Sequence, residues 1–218
     1  MIKLVIFDLD GTLLDTIGDL AMATNYALRR CGYPEHEIPE YRFFVGNGIR
    51  KLFERALPEP NRTAGEIECI RTYFLEYYGM HKTDLTRPYP GIPGLLQGLE
   101  QKGIALAVAS NKYQEATESL IRHFFPDRRF VAVLGQREGI PVKPDPAIVE
   151  EIIRKAGVRV EDVLYVGDSG VDMETASRAG IVSAGAMWGF RPENELKQYG
   201  AVYLAAVPEE IGLIAEKL

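Results

Sequence analysis

Six short runs of apolar, largely β-branched residues punctuate the chain: Ile2–Phe7, Ile104–Ala109, Phe130–Leu134, Val163–Val166, Ile181–Ala184 and a weaker run at Ala201–Leu204. Nearly continuous apolar runs of this length read as strands buried on both faces, as in a parallel sheet. Between them, apolar residues recur at helical spacing over Ile92–Lys102, Tyr113–Phe124, Ala147–Ala156 and Val171–Ala179, and a last helix opens at Pro208. Alternating strand and helix predicts a doubly wound, Rossmann-like α/β core with a parallel sheet.

One stretch breaks this rhythm. From Thr16 to His81 no strand-like run of that quality occurs. Instead three helical stripes follow one another: Ile17, Leu20, Ala21, Ala27, Leu28 and Cys31; Ile49, Leu52, Phe53 and Ala56; Ile67, Ile70, Phe74 and Tyr77. The return segment Lys82–Gly91 is polar and carries two prolines, as an inter-domain linker does. The expected organisation is an α/β core from residues 1–15 and 83–218, with residues 16–82 inserted as an all-helical cap.

Composition fits an ordinary globular protein, with 218 residues, 46% hydrophobic and 26% charged. The net charge of −6 argues against nucleic-acid or anionic-membrane partners, which call for basic patches. It also makes an anionic substrate a puzzle. The two cysteines, Cys31 and Cys69, form no Cys-x-x-Cys pair and read as unpaired packing residues in helices. Neither a signal peptide at the start nor an apolar run of membrane-spanning length is seen, so a cytoplasmic location is expected.

Ligands of such sheets bind beyond the carboxyl ends of the strands. The first strand ends in Asp8-Leu9-Asp10-Gly11-Thr12, two carboxylates one residue apart beside a turn-forming glycine. Like charges this close repel unless a cation or proton intervenes. As a plain turn, the same segment would use Asp15 or Thr16 to cap the next helix. The second strand ends in Ser110-Asn111-Lys112 at a helix start, suited to an anion or to simple capping. Lys143 precedes Pro144-Asp145-Pro146, where Asp145 suffices as an N-cap and Lys143 is free to reach inward. The fourth strand ends in Gly167-Asp168-Ser169-Gly170-Val171-Asp172, adding two more carboxylates. Its Gly-Asp-Ser-Gly string does not mark a trypsin-like protease, because the chain alternates strand and helix. His36, His81 and His123 read as structural or surface residues. Four polar clusters at successive strand ends are a constellation, and its carboxylates suit a hard divalent cation such as Mg²⁺ rather than zinc.

These motifs, in this order, resemble those of the haloacid-dehalogenase-like phosphohydrolase superfamily. The resemblance implies Asp8 as a nucleophile forming an aspartyl-phosphate, and Asp10 as the acid and then base. It implies Mg²⁺ held by Asp8, the Asp10 backbone carbonyl and Asp168, and phosphate held by Ser110, Asn111 and Lys143. Asp172 would orient Lys143 or a metal-bound water. Asp10 favours phosphoryl over dehalogenase chemistry, and the acidic balance becomes a dependence on metal.

The cap segment Phe43–Leu57 is similar to that of phosphoglycolate phosphatases, with Gly46, Asn47, Gly48 and Arg50 the expected substrate-selecting residues. Backbone N–H groups and a cation there would suit a small carboxylate. The partner implied is a small phosphate compound, 2-phosphoglycolate foremost. A pyrophosphatase, a sugar-phosphate phosphatase and a β-phosphoglucomutase-like mutase stay open, and a silent phosphate-binding module is disfavoured by the intact motifs. Trp188-Gly189-Phe190-Arg191 follows the fifth strand and reads as packing, or as a rim of the site. Oligomeric state is not legible.

Overall fold

The computed structural model describes residues 1–218. In chain order the first elements are β1 (Leu4–Phe7), β2 (Leu14–Asp15), α1 (Ile17–Arg30), α2 (Tyr41–Phe44), α3 (Ile49–Ala56), α4 (Ala64–His81) and β3 (Arg87–Pro88). Then come α5 (Ile92–Gln101), β4 (Ala105–Tyr113), α6 (Gln114–Phe124), β5 (Phe130–Gln136) and α7 (Ala147–Ala156). The chain closes with β6 (Val163–Gly167), α8 (Gly170–Arg178), β7 (Val182–Ala186), α9 (Glu193–Gln198), β8 (Tyr203–Ala205) and α10 (Pro208–Lys217).

Six strands form one parallel sheet in the order β5-β4-β1-β6-β7-β8. Alternation along each strand sends side chains to two cores. Val5, Phe7, Leu106, Val108, Leu164 and Val166 face α5, α6 and α10, while Leu4, Ile6, Ala107, Ala109, Val163 and Tyr165 face α7 and α8. Burial on both faces is why these strands read as continuous apolar runs. β1 lies between β4 and β6, so successive crossovers leave it in opposite directions. A crevice opens at the carboxyl ends of strands where the order reverses in this way.

Helices α1 to α4 pack around a core of their own, with Leu20, Leu28, Tyr41, Phe53, Ile70, Phe74 and Tyr78 buried. Ala116 of α6 and Phe190 from the loop after β7 join that core, so the helical unit is seated on the sheet domain. The two chain crossings are not plain linkers. Leu14 and Asp15 pair antiparallel with Pro88 and Arg87. No helix is long and apolar enough to cross a membrane.

Several sequence expectations change. Cys31 and Cys69 are joined by a disulfide rather than unpaired, because the end of α1 lies against the middle of α4. Tyr78, not Tyr77, is the fully buried end of the third stripe. β4 runs on to Tyr113, so Ser110-Asn111-Lys112 lies within the strand and α6 starts at Gln114. The N-cap of α7 is Pro146, and Asp145 accepts the Ala147 N–H at 3.0 Å. The short α9 buries only Leu196 and left no periodic signal.

Candidate active site

The polar clusters converge at the switch point. Asp8 directly follows β1, and its N–H continues the ladder to the Val166 carbonyl at 2.9 Å. Gly11, at φ +89°, then reverses the chain where a Cβ would overlap the Asp168 carboxylate. The reversal brings Thr12 Oγ1 to Asp168 Oδ1 at 3.1 Å.

Lys143 is buried and reaches inward. Its Nζ donates to Asp172 Oδ1 at 2.7 Å, to the Ala109 carbonyl at 2.9 Å and to the Tyr165 hydroxyl at 3.0 Å. It also stands 3.0 Å from Asp8 Oδ1. Burial works against its charge, but Asp172 and Asp8 more than restore it and hold the ammonium well above its usual range. Asp172 is fully used: Oδ1 also takes the Tyr165 hydroxyl at 3.1 Å, and Oδ2 takes the Ser169 N–H at 3.1 Å and Oγ at 2.5 Å. That capping box fixes the start of α8 and aims Lys143.

Asp8, Asp168 and Asp172 offer oxygens within 4.8 Å of one another. Burial, together with the neighbouring carboxylates, pushes the Asp8 carboxyl up to about 7 despite Lys143, and holds that of Asp168 well above the carboxylate range. Asp8 Oδ1 is buried, with the Lys143 ammonium 3.0 Å away as its donor. Three buried carboxylates facing a single ammonium leave a negative, oxygen-lined pocket that fits a hard divalent cation. Asp8 and Asp168 are the side chains able to face it, since Asp172 has no oxygen to spare.

Asp10, like Asp8, lines a cleft between the sheet and the helical unit. Its Oδ1 accepts from Thr16 Oγ1 at 2.7 Å, and Lys112 Nζ sits 3.0 and 3.1 Å from its two oxygens. Lys112 was not among the expected site residues. Burial opposes its charge, but Asp10 and Tyr78 keep the ammonium above its usual range. Ser110 also lines this cleft, with Leu20, Val45, Ile49, Leu52 and Phe74 from the helical unit.

Other expected residues take different tasks. The Asn111 side chain, expected on phosphate, is occupied by backbone: it accepts the Lys143 N–H at 2.8 Å and donates to the Lys143 and Gly46 carbonyls at 3.1 and 3.2 Å. It positions the lysine and ties the sheet to the helical unit. Gly46 and Gly48 line the cleft at positive φ, ahead of α3. Asn47 instead accepts from Arg55 at 2.7 Å. The Arg50 side chain is 71% exposed and paired with Glu54, because its place on α3 faces solvent. The rim segment does more than pack. Phe190 N–H donates to Asp168 Oδ2 at 2.7 Å, and Arg191 donates to the Arg42 and Val45 carbonyls at 2.5 and 2.9 Å. His36, His81 and His123 lie outside the cleft.

A parallel sheet carrying this acidic pocket at its switch point, under a helical insertion, defines a hydrolase class. The haloacid dehalogenase-like hydrolase family model matches residues 5–186, and the chain belongs to that family. Within it the chain is similar to phosphoglycolate phosphatases. It is 34% identical over 188 residues to that of Aquifex aeolicus, covering 86% of each chain. It is 35% identical over 189 residues to that of Mesorhizobium japonicum, covering 86% of this chain and 83% of the relative. A crystal structure from Lactobacillus delbrueckii subsp. bulgaricus, titled as a candidate phosphoglycolate phosphatase, superposes at TM-score 0.92 with 32% identity over 98% of both chains.

Proposed function

We propose that this chain is a Mg²⁺-dependent phosphatase that hydrolyses a small phosphate monoester through an aspartyl-phosphate on Asp8, with 2-phosphoglycolate its leading substrate. The observation that carries the chemistry is the buried Asp8 carboxylate, set between the Lys143 ammonium and the Asp168 carboxylate. A buried carboxylate oriented by an ammonium is placed to act as a nucleophile. The names and extent of the relatives support the substrate.

Asp8, Asp168 and the Asp10 backbone carbonyl would hold the cation. When bound, it neutralises the carboxylates enough for a phosphate dianion to approach. Lys143 and Ser110 then hold the transferring oxygens. Asp8 Oδ1 bonds to phosphorus as the ester oxygen leaves. Asp10 gives that oxygen a proton, and in the second step takes one from the water that cleaves the acyl phosphate. The helical unit, residues 16–82, would be the cap that selects substrate and excludes water.

The test is phosphate release from 2-phosphoglycolate, pyrophosphate and hexose phosphates, with and without EDTA. Metal-dependent release, fastest on 2-phosphoglycolate, is expected. No turnover with metal sinks the enzyme reading, and a low rank for 2-phosphoglycolate sinks the substrate. Asp8→Asn is expected to abolish turnover and phosphoenzyme labelling. Asp10→Asn should still label when the leaving group is good.

A further inference from the structure

The cleft wall is mostly apolar, and among the residues lining it Lys112 is the sole cation. An ammonium with only 5% of its side chain exposed is costly unless something anionic meets it. In the protein that something is Asp10, the group assigned to protonate the leaving oxygen. A substrate carrying a second anion would offer Lys112 another partner.

A second observation marks the same spot. The Tyr78 hydroxyl is fully buried, belongs to the cleft lining and has no hydrogen-bond partner. Lys112 Nζ lies 5.0 Å from the centre of the Tyr78 ring. A buried hydroxyl without a partner is costly, so its retention beside a buried cation points to a ligand with acceptor oxygens.

We propose that Lys112 Nζ and the Tyr78 hydroxyl form a carboxylate subsite that reads the non-phosphate end of the substrate. The inference rests on the phosphatase reading above and specifies how that site selects its substrate. Asp10 is placed at the ester oxygen, and Lys112 is one hydrogen bond beyond it. A carboxylate joined to the ester oxygen through a single CH₂ reaches that ammonium. A hexose does not match a subsite so close and so apolar. When substrate takes Lys112, Thr16 Oγ1 still holds Asp10 in position. The cation expected on the cap at Arg50 is supplied from β4 instead.

The decisive comparison uses 2-phosphoglycolate and ethyl phosphate, in which a methyl group replaces the carboxylate. Both are assayed with the Mg²⁺-loaded full chain. The wild type should favour 2-phosphoglycolate. Tyr78→Phe, which removes only the hydroxyl beside Lys112, should lower the ratio of kcat/KM values for the two substrates about tenfold, mainly through KM for 2-phosphoglycolate. Lys112→Met should lower it about 100-fold, with partial recovery in Lys112→Arg. Equal losses on both substrates would assign Lys112 to Asp10 alone and overturn the subsite. An unchanged ratio in Tyr78→Phe would overturn it too. Turnover of both substrates without preference defeats the subsite and leaves the phosphatase reading intact. If neither turns over, the phosphatase reading fails, and calorimetric titration decides the subsite: tighter binding of 2-phosphoglycolate, lost in Lys112→Met, supports it, and equal binding refutes it.

Discussion

Asp168 Oδ2 accepts the Phe190 N–H at 2.7 Å, an interaction that brings the backbone of the loop after β7 directly onto a carboxylate of the acidic pocket. The approach is possible because residue 189 is glycine: a Cβ there would overlap Asp168 Cβ and the Gly11 carbonyl oxygen. Neither is the flexible end of a side chain. Gly189→Ala is therefore expected to displace Asp168. Groups that orient a metal ligand typically change metal affinity about 10–100-fold, so the Mg²⁺ concentration for half-maximal activity should rise by about that much. Gly65→Ala, in α4 with open space around it, is the control and should change nothing beyond a small gain in helix stability. An unshifted Mg²⁺ curve in Gly189→Ala would detach the loop from the metal site.

The acid limb of stability offers a second test, away from the cleft. Arg137, just after β5, donates to both Glu151 oxygens on α7, at 3.1 and 2.6 Å. These bonds, and Lys155 beyond them, hold the Glu151 carboxyl down at about 2, against burial. The folded value lies below the unfolded one, so the contribution is complete above about pH 4.5. It is lost as pH falls toward 2. Solvent screening limits it to about 1 kcal/mol. Urea unfolding of Glu151→Gln against wild type should show that difference at pH 7 and a much smaller one at pH 2.5. A difference constant across this range would mean that the pair contributes nothing.

Much of this was legible because the sheet obeys simple rules. Asp8, Asp10 and Asp168 sit where apolar runs stop, and carboxylates at the mouth of a parallel sheet have little structural purpose. Lys112 was harder to find. It lies in a strand beside Asn111, and nothing in the spacing tells that its ammonium returns to a carboxylate 102 residues earlier. Arg50 shows the opposite: its sequence context matched, but helical phase turns its side chain to solvent. Phe190 acts through its backbone N–H and Gly189 through the lack of a Cβ, and neither leaves a side-chain signal. The pairing of Cys31 with Cys69 depended on which residues of α1 and α4 face each other, which periodicity alone leaves open.

That pairing is itself testable. The disulfide closes a loop between positions 38 residues apart and fastens the two longest helices of the insertion. A cross-link of this span stabilises by about 2–4 kcal/mol, chiefly by restricting the unfolded chain. Reduction, or Cys31→Ser with Cys69→Ser, should lower the melting temperature and leave kcat nearly unchanged, because neither sulfur lines the cleft. Mass spectrometry after denaturing alkylation should find no labelled thiols before reduction and both afterwards. Two labelled thiols without reductant would return these residues to the unpaired state read from the sequence.

Arg191 carries a contact that couples the two units. Its guanidinium, from the core loop that also serves Asp168, donates to the carbonyls of Arg42 and Val45 and lies against the Phe43 ring. Val45 and Gly46 line the cleft, so Arg191 ties one wall of the cleft to the loop that contacts Asp168. Charged donors to carbonyl oxygens contribute about 1.5–3 kcal/mol each when shielded, and Arg191 is largely shielded, with 10% of its side chain exposed. Arg191→Met should therefore loosen residues 42–48 without unfolding the sheet. Hydrogen–deuterium exchange in that segment is expected to quicken about tenfold or more, with β1 and β6 unchanged. KM for the substrate should rise more than kcat falls, since the wall is displaced while Asp8 and Lys143 stay in place. Arg191→Lys, which retains the charge but not the fork, should lie between the two. If exchange in residues 42–48 stays at the wild-type rate, Arg191 does not hold this segment.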